Sequence, residues 1–302
     1  GPMLDNASPL GTTLPSGPIA TQAAGVYLYP GPFEQVIAGL RLGIATLAAD
    51  EPSQRLAIPP VIARSTIERA GYVKAFPQLL GTVHSYTGDG RDWAALAPLA
   101  EQGGAWHAEQ RISDLVLLPA ACYPVYASLE GAVLGEPAKF AVEATCFRQE
   151  LTSEPGRLRS FRMVELVTVA TEEYCLQWRA HWLERVADWL AAMSLRVAIE
   201  LADDPFFGPG RKLYQAAQRK QELKFELKVP VAEDLVQAVA SANFHKDHFG
   251  ETFDITADGG RANTSCMAFG LERIALALIN VHGPLLADWP AELQALLSGV
   301  TS

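Results

Sequence analysis

From Pro32 the chain reads PFEQVIAGLRLGIATLAAD, with apolar residues recurring every three or four positions and a proline near the start. That spacing predicts a helix with one buried face. The next stretch, LAIPPVIARSTIERAGYVKAFP, predicts a short extended piece, a double proline and a helix closed by Gly71. SDLVLLPAACYPVYASLEG reads as a buried strand running into a helix. KFAVEATCFRQE and SFRMVELVTVA are rich in β-branched and aromatic residues and flank a loop containing Pro155 and Gly156. They predict a hairpin whose arms are long enough to be central in a sheet. TEEYCLQWRAHWLERVADWLAAMSL opens on Thr171 and acids and keeps its apolar residues on one face, which predicts a long helix. Beyond the DDPFFGPG turn, RKLYQAAQRKQEL predicts a helix. Strands are expected over KFELKVP, before Asn243 and over ETFDITAD, and TSCMAFGLERIALALINVHG predicts a strand feeding a helix ended by Gly283.

Hairpins outnumber strand–helix–strand units in this series, which favours an α+β fold, helices packed on an antiparallel sheet, over a doubly wound one. There is no GxGxxG between a strand and a helix and no GxxxxGK[ST], so neither a dinucleotide fold nor a P-loop is supported. Residues 1–24, rich in Ala, Pro, Gly, Ser and Thr, are expected to form a flexible tail that begins with a tag-cleavage scar at Gly1-Pro2. Residues 25–302 are expected to form a single domain. No apolar run approaches the roughly 18 residues of a membrane span, and the N-terminus lacks a basic-then-apolar signal layout. A cytoplasmic protein is the expectation.

Charge narrows the function classes. The 302 residues carry a net charge of −10, which argues against a protein whose main task is to hold a polyanion. Cys122, Cys146, Cys175 and Cys266 are far apart and form no CxxC pair. By themselves they read as small buried apolar residues in a reducing compartment.

Against this acidic background, ATCFRQELTSEPGRLRSFRMVEL sets Arg148, Glu150, Arg157, Arg159 and Arg162 around one short loop together with Phe161. An arginine fork can grip a phosphate, a carboxylate two residues along can accept from an exocyclic amine, and an aromatic across the hairpin can stack on a purine. Taken alone, the pattern suits either a nucleoside triphosphate site or an ordinary charged hairpin. In FGLERIALAL, Arg273 joins the positive end of a helix, where it would add to the attraction for phosphate.

Together these segments resemble the class II aminoacyl-tRNA synthetases. FRQE, the loop and RLRSF are similar to motif 2, FGLER to motif 3, and IPPVIARSTIERAGYVKAF to motif 1, the dimer element. More finely, AGYVKAFPQLLGTVH, LLPAACYPVY, CFRQE, FRMVE, DDPFFG, LKFEL, HKDHFG and SCMAFGLERI resemble, in order, the catalytic domain of the atypical seryl-tRNA synthetase of methanogens. They resemble still more closely the bacterial amino acid:[carrier protein] ligases derived from it. The resemblance implies an antiparallel sheet flanked by helices, a homodimer, and an aminoacyl-adenylate made from ATP with Mg²⁺. Arg148 would hold the α-phosphate and the amino-acid carboxylate, Glu150 the adenine amine, Phe161 the base, and Arg157 and Arg273 the terminal phosphates. It also implies Zn²⁺ held by Cys122, Glu165 and Cys266, with the substrate amine as fourth ligand; three protein ligands and an open place suit a substrate-binding zinc. Cys146 and Cys175 stay structural.

The implied acceptor is the phosphopantetheine thiol of a small carrier protein, loaded with a small amino acid, glycine or alanine. Only the tail and one helix precede motif 1, where a seryl enzyme has a tRNA-binding domain, so tRNA is not an expected partner. Carrier proteins are generally acidic, and Arg211, Lys212, Arg219, Lys220, Lys224 and Lys228 follow the DDPFFG turn where the family has its carrier-contacting helix. A solvated helix face with i, i+4 pairs is the alternative. Ala268 should point to the same side as Cys266 and limit pocket depth. Asp204 is either an orienter of the substrate amine or a turn-forming residue. His245 and His248 would make a metal pair if helical, but a packing role or support of the zinc ligands is the expectation. Gln237 stands where typical seryl enzymes have a magnesium-binding Glu, which leaves the magnesium ligands open. Two further readings remain: tRNA aminoacylation by a truncated seryl-type enzyme, and a catalytically silent paralogue that binds a partner.

Overall fold

A computed structural model describes residues 14–150, 154–221 and 223–299. Its frame is a seven-stranded sheet. In chain order the strands are β1 (Gln54–Ala57), β2 (Ala138–Phe147), β3 (Ser160–Ala170), β4 (Ala198–Leu201), β5 (Lys224–Ala232), β6 (Leu235–Phe244) and β7 (Asn263–Gly270). Their spatial order is β4-β5-β6-β7-β3-β2-β1. Every pairing is antiparallel except that of β1 with β2. The expected α+β architecture is the observed one.

Side chains alternate across each strand, so the two faces of the sheet differ in kind. Leu227, Val229 and Val231 of β5, with Met267 and Phe269 of β7, point to one face. There they meet the helices Gly31–Leu47, Glu172–Ala192 and Leu271–His282 in the larger core, which includes Trp182, Trp189 and Leu278. The Glu172–Ala192 helix begins as its sequence predicts: the Thr171 hydroxyl accepts from the Tyr174 N–H at 3.3 Å. The opposite face carries a second apolar cluster built from Phe140, Val142, Val167, Tyr126 and Phe253, and beside it the polar residues of the site.

Three expectations need correction. ETFDITAD is not a strand: His248–Thr252 is helical and only Thr256–Ala257 is extended. Phe249 and Phe253, four apart, both reach the second cluster, which suits a helical turn, and Asp254 at φ +52° ends it. The strand Arg111–Leu117 is buried only toward its end, because it belongs to a small outlying sheet with Val61–Ala63 and Thr82–Ser85. A helix over Gly90–Glu101, absent from the hydrophobic-pattern reading, is closed by a capping box between Asp89 and Asp92 and buries none of its residues.

Within the segment expected to be a tail, Ile19–Ala20 pairs with Tyr27–Leu28, and the Arg159 Nε donates to Ala24 O at 2.7 Å. Residues 1–13 of that segment lie outside the described residues. Among the described residues no helix is long and apolar enough to cross a membrane.

Candidate active site

Parity along the strands assembles the site. Phe161, Met163 and Glu165 of β3 share a face with Cys266 and Ala268 of β7, Ser241 and Asn243 of β6, and Lys224 and Glu226 of β5. The register fixes who faces whom: Ala268 lies opposite Glu165 on one side and Ser241 on the other, and Cys266 lies opposite Asn243. Over this face open two cavities. One, of about 710 Å³, is lined by Arg148, Glu150, Phe161, Glu226 and Arg273 among others. The other, of about 1410 Å³, contains Cys122, Glu165, Cys266, Asn243, His245 and Asp204 in its walls. They meet at Arg148, Met163, Lys224, Ser241 and Ala268, which line both.

The hairpin arginines divide their work, and of the four only Arg148 lines the first cavity. Arg148 donates from Nε to Pro119 O at 3.0 Å, and its guanidinium lies 5.3 Å from the centre of the Phe161 ring. The fork is thereby fixed at the junction. Arg157 pairs with Glu154 at 2.8 Å and approaches Glu150 at 3.6 Å. Glu150 lies just past the end of β2, in the loop rather than on the strand, yet still lines the cavity. Arg162 does not face the cavity. Its parity turns it to the helical side, where its N–H and Nε bond the buried Glu272 at 2.8 and 3.0 Å and its terminal nitrogens bond Glu34. It fastens β3 to two helices.

The hairpin loop is held from outside. Arg273 donates from Nε to Gly156 O and from a terminal nitrogen to Ala238 O, both at 2.8 Å. Burial and the neighbouring Arg157 pull its basicity down, so the site favours an anion here. Gln237 donates to Pro155 O at 2.7 Å, while its buried Oε1 has no partner. Gly156 sits at φ +77°, and a Cβ there would come within 2.2 Å of that same oxygen, so the loop tip requires glycine. Residues 151–153 of the loop lie outside the described residues.

In the second cavity Cys122, Glu165 and Cys266 are neighbours close enough to perturb one another's protonation. Cys266 also takes the Asn243 amide at 3.3 Å and lies 3.9 Å from His245 Nε2. The neighbouring Cys122 thiol, with His245 and the Asn243 amide, makes Cys266 the more acidic thiol, while Cys266 and burial push Cys122 up. Burial, then Cys266, raises the Glu165 carboxyl, and its Oε2 is buried with no hydrogen-bond partner. Among the described residues no group of three or more His, Cys, Asp or Glu side chains is gathered tightly enough to hold a metal ion. The zinc trio implied by the resemblance is therefore present as buried neighbours rather than as a formed coordination shell.

His245 hydrogen-bonds Thr264 Oγ1 at 2.9 Å and His248 bonds Ala70 O at 2.8 Å, so the two are not a metal pair. Cys146 and Cys175 are buried, and burial pushes both thiols up to about 12. Asp204 is neither free nor a bare turn residue: its Oδ1 takes Lys224 Nζ at 2.7 Å and its Oδ2 takes Gln218 Nε2 at 2.8 Å.

The basic segment is smaller than its sequence promised. Lys224 points into the cavities and Lys228 pairs with Glu200 at 2.7 Å. Arg211, Lys212, Arg219 and Lys220 occupy the exposed helix Arg211–Lys220, Arg219 within 3.3 Å of Asp203. Glu222 lies outside the described residues. Lys224 and Asn243 are the site residues that sequence reasoning missed. The alternation Lys224, Glu226, Lys228 in KFELKVP was the available signal.

Comparison with known proteins now has a geometry to attach to. The chain is 37% identical over 277 residues to amino acid–[acyl-carrier-protein] ligase 1 of Bradyrhizobium diazoefficiens, covering 90% of this chain and 85% of that protein. Ligase 2 of the same organism is 38% identical over 278 residues, covering 90% and 83%. The chain belongs to the amino acid–[acyl-carrier-protein] ligase family. A ligase of this family shares a more distant likeness with the type-2 serine–tRNA ligase of Methanocaldococcus jannaschii, 30% identical over 185 residues, or 58% of this chain and 36% of that one. No family model matches. Among solved structures, the seryl-tRNA synthetase of Methanopyrus kandleri, in complex with an Aquifex aeolicus tRNA, superposes with a TM-score of 0.79 at 20% identity. It covers 93% of this chain, which spans 58% of the synthetase. The seryl-tRNA synthetase of Pyrococcus horikoshii, complexed with ATP, gives 0.63 at 14% identity, covering 86% of this chain and 54% of that one. The fold is therefore that of class II seryl-tRNA synthetases.

Proposed function

We propose that the protein activates a small amino acid, glycine or alanine, as its adenylate, and passes the aminoacyl group to the phosphopantetheine thiol of a carrier protein. The observation that carries this reading is the pair of cavities joined at Arg148, in a chain whose family is named for ligation of amino acids to acyl carrier proteins. ATP with Mg²⁺ would lie in the first cavity, its base on Phe161, its exocyclic amine at Glu150 and its outer phosphates toward Arg157 and Arg273. The amino acid would lie in the second, its carboxylate at the Arg148 fork. A carboxylate oxygen attacks the α-phosphorus, the bond to the bridging oxygen breaks, and pyrophosphate leaves. The carrier thiolate then attacks the carbonyl carbon and AMP departs, leaving a thioester. The chain supplies position and fixed charge rather than a nucleophile of its own.

Two thiols and a carboxylate in a buried wall are a zinc donor set, and the partnerless Glu165 Oε2 is the kind of atom a cation satisfies. Cys122, Glu165 and Cys266 would hold Zn²⁺. When bound, it would act as a Lewis acid that favours a neutral substrate amine. Asn243 and His245 would fix Cys266 through its sulfur. Ala268, at the junction, would bound the space beside the amine, and a larger residue there would narrow both cavities. Asp204 acts through Lys224 in this reading rather than on the amine directly.

The deciding experiment is amino-acid-dependent ATP–pyrophosphate exchange across a panel of amino acids, with and without a zinc chelator, followed by loading of a phosphopantetheinylated carrier against tRNA. Exchange driven by glycine or alanine, lost on chelation, with carrier loading, supports the reading. Loading of tRNA alone would return the protein to the seryl-type reading, and absence of any exchange to a silent paralogue.

A further inference from the structure

The helix Arg211–Lys220 buries none of its residues, so apolar packing does not fix its place. Polar bonds do, and they converge on Asp204. The Gln218 amide clamps that residue twice: its Oε1 accepts from the Asp204 N–H at 2.7 Å, and its Nε2 donates to Oδ2 at 2.8 Å. Gln215 Nε2 adds a bond to Asp204 O at 3.0 Å. The other carboxylate oxygen takes Lys224 Nζ at 2.7 Å, and Lys224 stands where the two cavities meet. The remaining supports of the helix are peripheral, Arg219 to Asp203 and the Tyr214 ring 5.9 Å from Phe206. An unbroken line of hydrogen bonds thus runs from an exposed basic helix to the centre of the site, and Gln218 is its outermost link.

We propose that Gln218 is a positioning residue for thioester formation: its double clamp on Asp204 sets the basic helix against the cavity wall, so that a carrier bound to that helix presents its thiol to the adenylate. The inference rests on the reading of Arg211–Lys220 as the carrier's docking helix. A glutamine on a solvated helix face would have its amide in water; here both of its polar atoms are spent on one buried-edge aspartate that Lys224 keeps ionised. A bond to an ionised acceptor is among the stronger ones, which is why losing this single side chain should be measurable.

Gln218→Met keeps the length of the side chain and removes donor and acceptor. Three rates are measured for it: glycine- and alanine-dependent pyrophosphate exchange, loading of a phosphopantetheinylated acyl carrier protein, and loading of free pantetheine, which needs no docking. The expected result is a rise of about tenfold in the KM for the carrier, the scale of one charge-assisted hydrogen bond. Gln218 also lines the second cavity, so exchange and pantetheine loading serve as the internal reference: the carrier KM should rise about tenfold beyond any change they show, and measurable exchange shows that the variant folds. Unchanged carrier loading, or equal losses in all three assays, overturns the inference. Arg211→Glu with Lys212→Glu is run in parallel. If that charge reversal abolishes carrier loading while Gln218→Met loads normally, only the clamp fails. If both variants load normally, the docking reading fails with it.

Discussion

Glu165 is the residue where the chemistry is most exposed to test. A carboxylate with one oxygen unpartnered in a buried wall is costly unless something positive meets it. Glu165→Gln keeps the volume and removes the charge. Metal analysis of the variant should show well under the roughly one zinc per chain expected of the parent, and amino-acid-dependent exchange should drop by about 10- to 100-fold. Metal-free parent protein with full exchange activity would sink the zinc assignment. Asp204 invites a different measurement. Burial alone would raise its carboxyl, but Lys224 and Gln218 outweigh that and hold it below the ordinary carboxylate range. A depressed folded value contributes stability that is present above the unfolded value of about 3.9 and is lost as pH falls through the folded one. Urea unfolding between neutral pH and about pH 3 should therefore show an acid-side loss of stability that is smaller in Asp204→Asn. Identical pH profiles for variant and parent would mean that the Lys224 pair contributes nothing to folding.

At the scale of elements, what the sequence made legible follows from how far each regular period runs. The hairpin β2–β3 and the helix Glu172–Ala192 carry long periods of two and of 3.6, so their burial, pairing and start were readable. Glu165 and Phe161 fell on one face by parity alone. Lys224 was lost because charge was counted by proximity in the chain: grouped with a helix, it belongs to a strand whose alternate residues turn inward. Arg162, named among the hairpin charges and given no role there, lies one position out of step with Phe161 and so faces the opposite side. Gly90–Glu101 was passed over although Trp93, Leu96, Ala97 and Ala100 recur at helical spacing; the stripe is short, is interrupted by Pro98 and buries nothing. The proposed zinc trio could not be reached from spacing at all, since its members come from a helix cap and from two strands that meet only in the folded sheet. The basic helix yields a prediction of its own kind. Charge reversal at Arg211 and Lys212, both on exposed first-turn positions, should abolish carrier loading while leaving pyrophosphate exchange at its parental rate, because steering and docking act before the thiol arrives. Carrier loading that survives the reversal would make this helix an ordinary solvated face.

At the scale of the whole molecule, one flank is unfinished in a way a single chain does not explain. Among the described residues strand β1 pairs only with β2, all four of its residues are exposed, and its outer edge is open. Unprotected edges of this kind pair with something or are covered. Beside it runs a groove of about 1480 Å³ in which Ile44, Ala45, Ala48 and Leu56 supply apolar wall. Farther along the same part of the chain, Trp93 is 62% and Trp106 46% exposed, on elements that bury little of themselves. Large apolar side chains left in water favour association, and the chain between this strand and Trp93 contains the segment that resembles the dimer element of class II synthetases. A second copy is the occupant we expect. Sedimentation velocity should give about twice the 32.6 kDa of the chain at micromolar concentration. Leu56→Lys puts a charge at the exposed edge without touching either cavity, and it should shift the equilibrium toward the single chain. The strands Val61–Ala63 and Arg111–Leu117 lead directly from this flank to the Cys122 wall, so loss of the pair should also loosen the second cavity and lower exchange. A parent protein that sediments as one chain and exchanges at full rate would place the exposed flank in the service of some other partner.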